Sequence, residues 1–457
     1  MVILGSKQVL ERLVQCFPGT SIRPEWTEFS PEIGLPSKFR VSDLATASFA
    51  NFAAAIDVLR QAYEYSPQPF SIDRRLACTW FQQTYQPIGW ISPDPWDPIA
   101  GNYRTQDGWI RLHTNAPKHR VVVESILGGA NDREAVARQV RRWSGEELES
   151  VIVDAGGCAA KLYSHDDWLL HPHGRYFESQ HLIERFEGLP TVSTNWRPEL
   201  HRPLQGIRVL DLTRILAGPV ATRALASLGA DVLRIDPLDW DEPAVEPDLT
   251  VGKHCARLDI KSSEGRQMLE ILLQQADILI SGYRPDALAN LGFSWQERQN
   301  IRPGLVDVTL NAYGWIGPWS TRRGFDSLVQ MSTGIVHQCS PNPDQELSAL
   351  PVQALDHATG YLMASAAILG LAHRHQAGTG SYFRSSLAAM AKLLLDIGHS
   401  DSETSPIFLS ERDWLPSIEQ SAFGPLRRLP FPIVHAETEF SFGIPARRLG
   451  TDRPQFS

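Results

Sequence analysis

Ile207-Arg-Val-Leu-Asp-Leu212, followed by Ala217-Gly-Pro219, decides how this chain is read. The first segment is a short apolar run, as expected of a strand buried on both faces. Pro219 suits the first turn of a helix, where its missing N–H costs nothing. That helix should run to about Leu228 and end at Gly229. The unit then repeats. Asp231-Val-Leu-Arg-Ile-Asp236 reads as a second strand, stopped by Pro237. A helix is expected at about 263–275, with Glu264 near its positive end. Asp277-Ile-Leu-Ile280 and Leu305-Val-Asp-Val-Thr-Leu310 read as the third and fourth strands. Strands alternating with helices at this spacing predict a parallel α/β sheet with right-handed crossovers. A segment from about 357 to 375 is apolar nearly all round, so a buried helix is expected there. Ser381-Tyr-Phe-Arg-Ser-Ser386 reads as a returning strand.

The region from 96 to 190 has a different character and reads as a smaller α+β domain. Tyr103 to His113 is a hairpin signal with Asp107-Gly108 at its turn. Helical patterns follow at about 117–127, 131–142 and 144–155, the last with Ser144 and Glu147 spaced as a capping box. A stretch carrying Pro and Arg, 191–202, reads as a linker to the larger domain at 203–395. There is also a weak internal repeat. Asp43-Leu-Ala-Thr46 resembles Asp356-His-Ala-Thr359, and Ala53-Ala54 and Ala366-Ala367 follow at the same offset. Leu76-Ala77 matches Leu387-Ala388 if a gap of two is allowed. On this reading 1–95 is a degenerate partial copy of the larger domain; the alternative is chance likeness between two Ala-rich helices.

Composition narrows the function. The 457 residues are 42% hydrophobic and 21% charged, a globular balance. A net charge of -9 repels polyanions and argues against a nucleic-acid partner, while leaving room for a local basic site for a small phosphorylated ligand. Cys16, Cys78, Cys158, Cys255 and Cys339 form no CxxC pair and no metal knuckle. Reduced thiols in the cytoplasm are the expectation. The first residues reach Lys7, Glu11 and Arg12 too soon for a signal peptide, and no apolar run approaches a membrane span.

Residues 203 to 390 closely resemble the large, Rossmann-like domain of family III CoA-transferases, the CaiB/BaiF family that includes formyl-CoA transferase and L-carnitine dehydratase. The likeness rests on patterns in the family's order. Pro203-Leu-Gln-Gly-Ile-Arg-Val-Leu-Asp-Leu-Thr213 leads to Leu216-Ala-Gly-Pro219, then Leu228-Gly-Ala-Asp-Val232. Leu258-Asp-Ile-Lys261, Tyr283-Arg-Pro285, Gly324-Phe-Asp326, Asp356 with Gly360, and Gly378-Thr-Gly380 follow. Residues 101–175 are similar to the family's small domain, which normally comes after the large one. Phe423-Gly-Pro-Leu426 and Leu449-Gly450, within 396–457, resemble its C-terminal return segment. The order is that of the rear of one copy joined to the front of another. Family members form interlocked dimers, so a homodimer and a single-chain pseudo-dimer are both open.

The resemblance implies a CoA-transferase with Asp356 as the carboxylate that carries the acyl group. Read alone, an Asp before a helix is also an ordinary cap. The substrates implied are an acyl-CoA and a small carboxylic acid, with no permanently bound cofactor and no metal. Leu216 and Ala217 match positions near the thioester, and Leu258 and Lys261 match positions toward the nucleotide. Gly282 and Tyr283 match a pair beside the adenine, and Arg284 is a candidate for phosphate. Some positions depart from the pattern. Ser281-Gly-Tyr283 replaces a common Glu-Asn-Phe, Asn290 and Asn311 stand where some members are basic, and Trp315 where one type is acidic. The Gly-rich small-domain loop of some members has no counterpart. Phe325 stands where related racemases have a His, which argues against α-proton exchange. His357 should point away from the site, Asp43 reads as a structural remnant, and Trp90, Trp96, Trp109 and Trp143 read as packing. Two alternatives remain: an acyl-CoA racemase, isomerase or dehydratase of the same superfamily, and a non-catalytic CoA-binding homologue.

Overall fold

The computed structural model describes residues 5–17, 26–191, 195–400 and 405–457. The chain begins with α1 (Ser6–Gln15), β1 (Trp26–Phe29) and the 22-residue α2 (Val41–Ala62). β2 (Phe70–Asp73) runs straight into α3 (Arg74–Trp80), which Asp73 caps by accepting the Leu76 N–H. β3 (Tyr85–Pro87) follows.

A small antiparallel sheet comes next, made of β4 (Gly101–Arg104), β5 (Trp109–Leu112) and β6 (Ala159–Lys161). It carries α4 (Pro117–Ile126), α5 (Arg133–Val140) and α6 (Gly145–Asp154), the last capped by Ser144. Side chains alternate along β5. Ile110 and Leu112 enter the helical core with Val123, Leu148 and Ile152. Trp109, Arg111 and His113 take the other face. After α7 (His165–Leu170) comes β7 (Ile183–Pro190). β7 is not part of the small domain. It pairs antiparallel with the strand Thr379–Ser386, and Arg384 grips Glu184 at 2.7 and 3.2 Å. The small domain therefore ends before β7 and not at residue 190. The linker expected over 191–202 lies partly outside the described residues.

The larger unit runs β8 (Arg208–Leu212), α8 (Ala217–Ser227), β9 (Asp231–Asp236), α9 (Glu246–Leu249), β10 (Lys253–Arg257) and α10 (Ser263–Gln275). It continues with β11 (Ile278–Ser281), α11 (Trp295–Ile301), β12 (Val306–Asn311), α12 (Asp326–Ser332) and α13 (Ile335–Cys339). It closes with α14 (Ala354–Ala377), β13 (Thr379–Ser386) and α15 (Leu387–Ile397). The strand order is β10-β9-β8-β11-β12-β13-β7, parallel except for β7. β10 escapes the pattern reading because Lys253 and His254 interrupt its apolar run. Lys253 is fully buried, 3.1 Å from Asp211 Oδ2, and donates to Pro219 O at 2.9 Å and Thr222 Oγ1 at 2.6 Å. Burial lowers the Lys253 pKa. In Asp211 the same burial is outweighed by Lys253, Arg234 and two hydroxyl donors, which hold the carboxyl below its usual range. The pair ties β10 across β9 to β8 and to α8.

The tail returns to the N-terminal half. β14 (Glu419–Ser421) and β15 (Gly424–Arg428) build on β3, and β16 (Ile433–His435) pairs antiparallel with β2. The two halves share geometry. β2 has a parallel neighbour, β1, and an antiparallel one, β16; β13 has β12 and β7. Val41 N–H to Phe39 O and Ala354 N–H to Val352 O are both 2.8 Å. They close turns centred on Arg40 (φ -72, ψ 48) and Gln353 (φ -76, ψ 66), close to an inverse γ-turn. Asp73 and Ser386 each cap the next helix, thirty residues beyond Asp43 and Asp356 (43 to 73, 356 to 386). The helix starts therefore align with no gap, and the two-residue gap needed to match Leu76 with Leu387 is removed. α2 and α14 lie together, with Phe49 and Tyr361 ring centroids 4.2 Å apart and Asn51 donating to Ser365 at 2.9 Å. Among the described residues no helix is long and apolar enough to cross a membrane.

Removing one member of the Lys253–Asp211 pair strands a buried charge. Lys253→Met is expected to cost about 3–5 kcal/mol, read as a lower denaturant midpoint. Adding Asp211→Asn should recover part of the loss, and no recovery would mean that the substitution does not act through the pair.

Candidate active site

β8 leads to β9 and β10 on one side, while β11 and β12 lie on the other. The strand order reverses between β8 and β11, and open α/β sheets take ligands outside the carboxyl ends of their strands at such a point. Leu216 and Ala217 follow β8, Leu258 and Lys261 follow β10, and Gly282, Tyr283 and Arg284 follow β11. The fold thus places all seven expected contacts along one edge.

The turn after β8 is held under strain. Ile215 has φ +64, a left-handed conformation unfavourable for a β-branched residue. Its N–H donates to Glu242 Oε2 at 2.8 Å, and the Trp240 indole donates to the same oxygen at 2.9 Å. Arg234 holds the other Glu242 oxygen at 2.5 Å and grips Asp236 with two bonds of 2.9 Å. These buried charges over-determine the turn and so aim the free N–H groups at the start of α8. The first of them, Ala217 N–H, acts on the Asp356 carboxyl and favours its charged form. One turn further along α14, a Cβ on Gly360 would lie 2.5 Å from Ala217 O and 2.8 Å from Val220 Cβ. Only glycine lets the two helices cross this closely. Gly218 lies inside α8 and is a packing residue: a Cβ there would meet Thr213 Cβ at 2.3 Å.

Asp356 is the third residue of α14, so it does not precede and cap its own helix as an isolated reading allows. That service comes from Asp326, whose Oδ2 accepts the Asp356 N–H at 3.0 Å and which also accepts from Leu355 N–H. The Asp356 carboxyl is thereby released from capping. Burial, followed by the Asp326 charge, pushes it well above the usual carboxylate range, and the Ala217 N–H only partly opposes this. Burial also raises Asp326, against the Gln330 amide, the two N–H groups and the Arg111 charge. Among the described residues no cation lies within ion-pair distance of Asp356. Asp43, at the matching place in α2, differs in this respect. Arg74 lies 2.7 Å and Arg40 3.3 Å from its oxygens, and Ser6 donates at 3.3 Å. A carboxylate so neutralised is a structural tie.

The remaining expected residues divide. The Arg214 guanidinium lies 4.8 Å from the Tyr283 ring and 5.2 Å from that of Trp240. A Cβ on Gly282 would sit 3.7 Å from Thr213 Cγ2, over the β8–β11 junction. Leu258 N–H donates to Asp236 O at 2.9 Å. Lys261 and Arg284 are exposed. Asn311 clamps its own loop, with both amide ends 2.8 Å from Gly314, and the Trp315 indole donates to Ser385 O at 2.9 Å. Asn290 is exposed and reaches Asp286 at 3.4 Å. His357 stacks on Phe81 at 4.9 Å and is buried, so it does not face solvent. The four tryptophans do not form one cluster: the Trp90 indole donates to Pro425 O and that of Trp109 to Pro343 O. Sequence reading missed Arg214, Glu242 and Asp326 as parts of the site. Arg214 and Asp326 lie within or between the quoted motifs, but nothing in the string ties Glu242 to Ile215.

Comparison with known proteins bears directly on this geometry. Residues 204–401 match CoA-transferase family III, a span that contains β8 to α15 and Asp356. An acetyl-coenzyme A transferase of Hypoxylon pulicicidum is 36% identical over 312 residues, covering 62% of this chain and 52% of that protein. The mouse succinyl-CoA:glutarate CoA-transferase is 31% identical over 199 residues, covering 41% and 45%. A CAIB/BAIF family protein from Brucella suis is a solved structure 25% identical to this chain, with a TM-score of 0.39, covering 49% and 65%. The chain spans about half the length of the curated relatives it matches. Within the matched residues, the parallel-rich sheet and mixed α/β content are those expected of the family.

The raised Asp356 pKa makes two predictions. An attacking carboxylate must be ionised, so the acid limb of kcat/KM should lie above the ordinary carboxylate range. Asp326→Asn keeps the capping oxygen and removes the like charge, which should move that limb to lower pH. An unmoved limb would mean that the pair is not coupled. A raised native-state pKa also means that Asp356 stability is present at acid pH and lost as pH rises through the folded value. Asp356→Asn should therefore melt higher than wild type at neutral and alkaline pH and alike at acid pH; an equal shift at every pH would contradict this.

Proposed function

We propose that this chain moves CoA between an acyl-CoA and a carboxylic acid, with Asp356 as the covalent carrier. The observation that carries the reading is the state of that carboxyl. Among the described residues it has no cation at bonding distance, burial and Asp326 oppose its charge, and a helix N-terminus faces it. Once ionised, such a group is poorly solvated and therefore a good nucleophile. Its oxygen adds to the thioester carbonyl, the C–S bond breaks, and CoA leaves as thiolate from a mixed anhydride. The thiolate then attacks the Asp356 acyl carbon, and the first acid departs as carboxylate. An incoming carboxylate attacks the resulting aspartyl-CoA thioester and expels the thiolate again. Attack of the thiolate on the new acyl carbon frees Asp356 and completes the new acyl-CoA. Each tetrahedral oxyanion forms beside the free N–H groups of α8, where the helix dipole favours negative charge.

CoA itself would lie along the strand ends. Leu216 and Ala217 would flank the thioester, with Leu258 and Lys261 toward the nucleotide. Gly282 and Tyr283 would sit at the adenine, with Arg284 on a phosphate. Relatives named for CoA transfer, such as the mouse succinyl-CoA:glutarate enzyme, support the reaction class. Phe325, stacked on His113 at 3.8 Å, offers no proton to an α-carbon and disfavours racemisation. We further propose that residues up to 95, with the returning tail, are a second copy that has lost its chemistry. The matched turns, caps and strand neighbours support this, and so does the exchange of β7 and β16 between halves. One chain then supplies the contacts of an interlocked pair.

Incubation with a panel of acyl-CoAs and hydroxylamine should convert Asp356 to a hydroxamate visible by peptide mass spectrometry. Asp356→Ala should lose the adduct and lower CoA exchange by roughly a thousandfold or more. Bound CoA with no adduct across the panel would favour a non-catalytic homologue. Deuterium entering the α-carbon without an acceptor acid would favour the racemase class.

A further inference from the structure

A cleft of about 890 Å³ lies at the seam between the two halves, and the transfer chemistry proposed above has no use for it. α1 and α2 border it on one side; β7, the far part of α14, β13 and α15 border it on the other. It is remote from the reacting carboxyl. Leu369 is the first residue of α14 to line it, and at roughly 1.5 Å of rise per residue that position is about 20 Å along the helix from Asp356. Seams between structural units are where pockets for small organic ligands gather, and this volume is of the size such ligands need.

The floor of the cleft is apolar. Leu369 and Ala372 of α14, Phe383 of β13, and Ala389 and Leu393 of α15 are core residues that line it. Val58 lines it from the first half and is only half-buried. An aliphatic chain laid on such a floor leaves water at a gain. The rim is charged, and its charges are answered with one exception. Arg384 grips Glu184 at 2.7 and 3.2 Å, and Lys392 lies 2.7 Å from Asp396. Arg185 lies 3.6 Å from Glu187, which also takes His373 at 3.0 Å. Arg12 is left over. It lines the cleft from the last turn of α1 and is half-buried, and among the described residues no carboxylate lies within ion-pair distance of it.

One free guanidinium above an aliphatic floor selects the ligand. The planar fork of an arginine matches the two oxygens of a carboxylate. A phosphate dianion would call on a second cation, and Lys392 and Arg185 already face acids. We propose that this cleft binds an aliphatic carboxylate, with its chain on the floor and its head group on Arg12. The site is separate from the place where an acyl group would react, and it stands whether or not Asp356 forms a covalent bond. Its walls come from both halves, so a bound ligand holds them together and stabilises the folded chain.

Decanoate and 1-decanol share an aliphatic body and differ in charge. Calorimetric titration of decanoate into the full chain should show saturable binding, with a rise in melting temperature. Arg12→Gln should weaken decanoate by about tenfold and leave 1-decanol unchanged. Val58→Trp extends a half-buried side chain into the cleft and should weaken both. A decanoate carrying a diazirine at its chain end should label α2, the far part of α14 or α15, as read by peptide mass spectrometry. No saturable binding, or equal decanoate affinity in wild type and Arg12→Gln, would overturn the site. So would labelling confined to the turn after β8 and the first turn of α14, which would place the acid at the reacting carboxyl instead.

Discussion

The close crossing of α8 and α14 at Gly360 is the contact on which the rest of the molecule depends. It brings the free N–H groups of one helix against a carboxyl on the first turn of the other. A single Cβ at residue 360 would meet Ala217 O at 2.5 Å and push them apart. The same offset in the first half carries Ala47, on a helix against which α1 packs.

Around that crossing the protein uses buried charge in two opposite ways. Lys253–Asp211 and Arg234–Asp236–Glu242 are satisfied networks that give the sheet edge a fixed shape and hold Ile215 in its strained turn. Among the described residues Asp356 has no cation at bonding distance, and burial with the Asp326 charge opposes its ionisation. A satisfied network builds a scaffold, and an unsatisfied charge is what a substrate can answer. Asp43 belongs to the first kind through Arg74 and Arg40, although its place in the helix matches that of Asp356. Helical position did not decide which aspartate is paired with arginine; the neighbours did.

Strands are exchanged between the two ends of the chain. β7 leaves the first half to complete the edge of the second, and β16 leaves the second to complete the first. Each half is thereby closed by the other, and the loops that cross between them carry the small domain over Asp326. A stack of four side chains, Arg111, Trp96, His113 and Phe325, joins that domain to the site.

By itself the sequence determined the sheet and its helices, because apolar runs broken at Gly and Pro are local signals. Strands β8, β9, β11, β12 and β13 and the long buried α14 were legible for that reason. It hid β10, because a strand that buries a lysine lacks the apolar run until Asp211 is known to lie two strands away. It also placed β7 in the wrong domain, since the pairing partner is almost two hundred residues off. The tertiary structure alone decided that Asp326, and not Asp356, caps α14, and that Glu242 holds Ile215. Charge state and reactivity depend on what surrounds an atom in space, and a linear string records only which atoms are present.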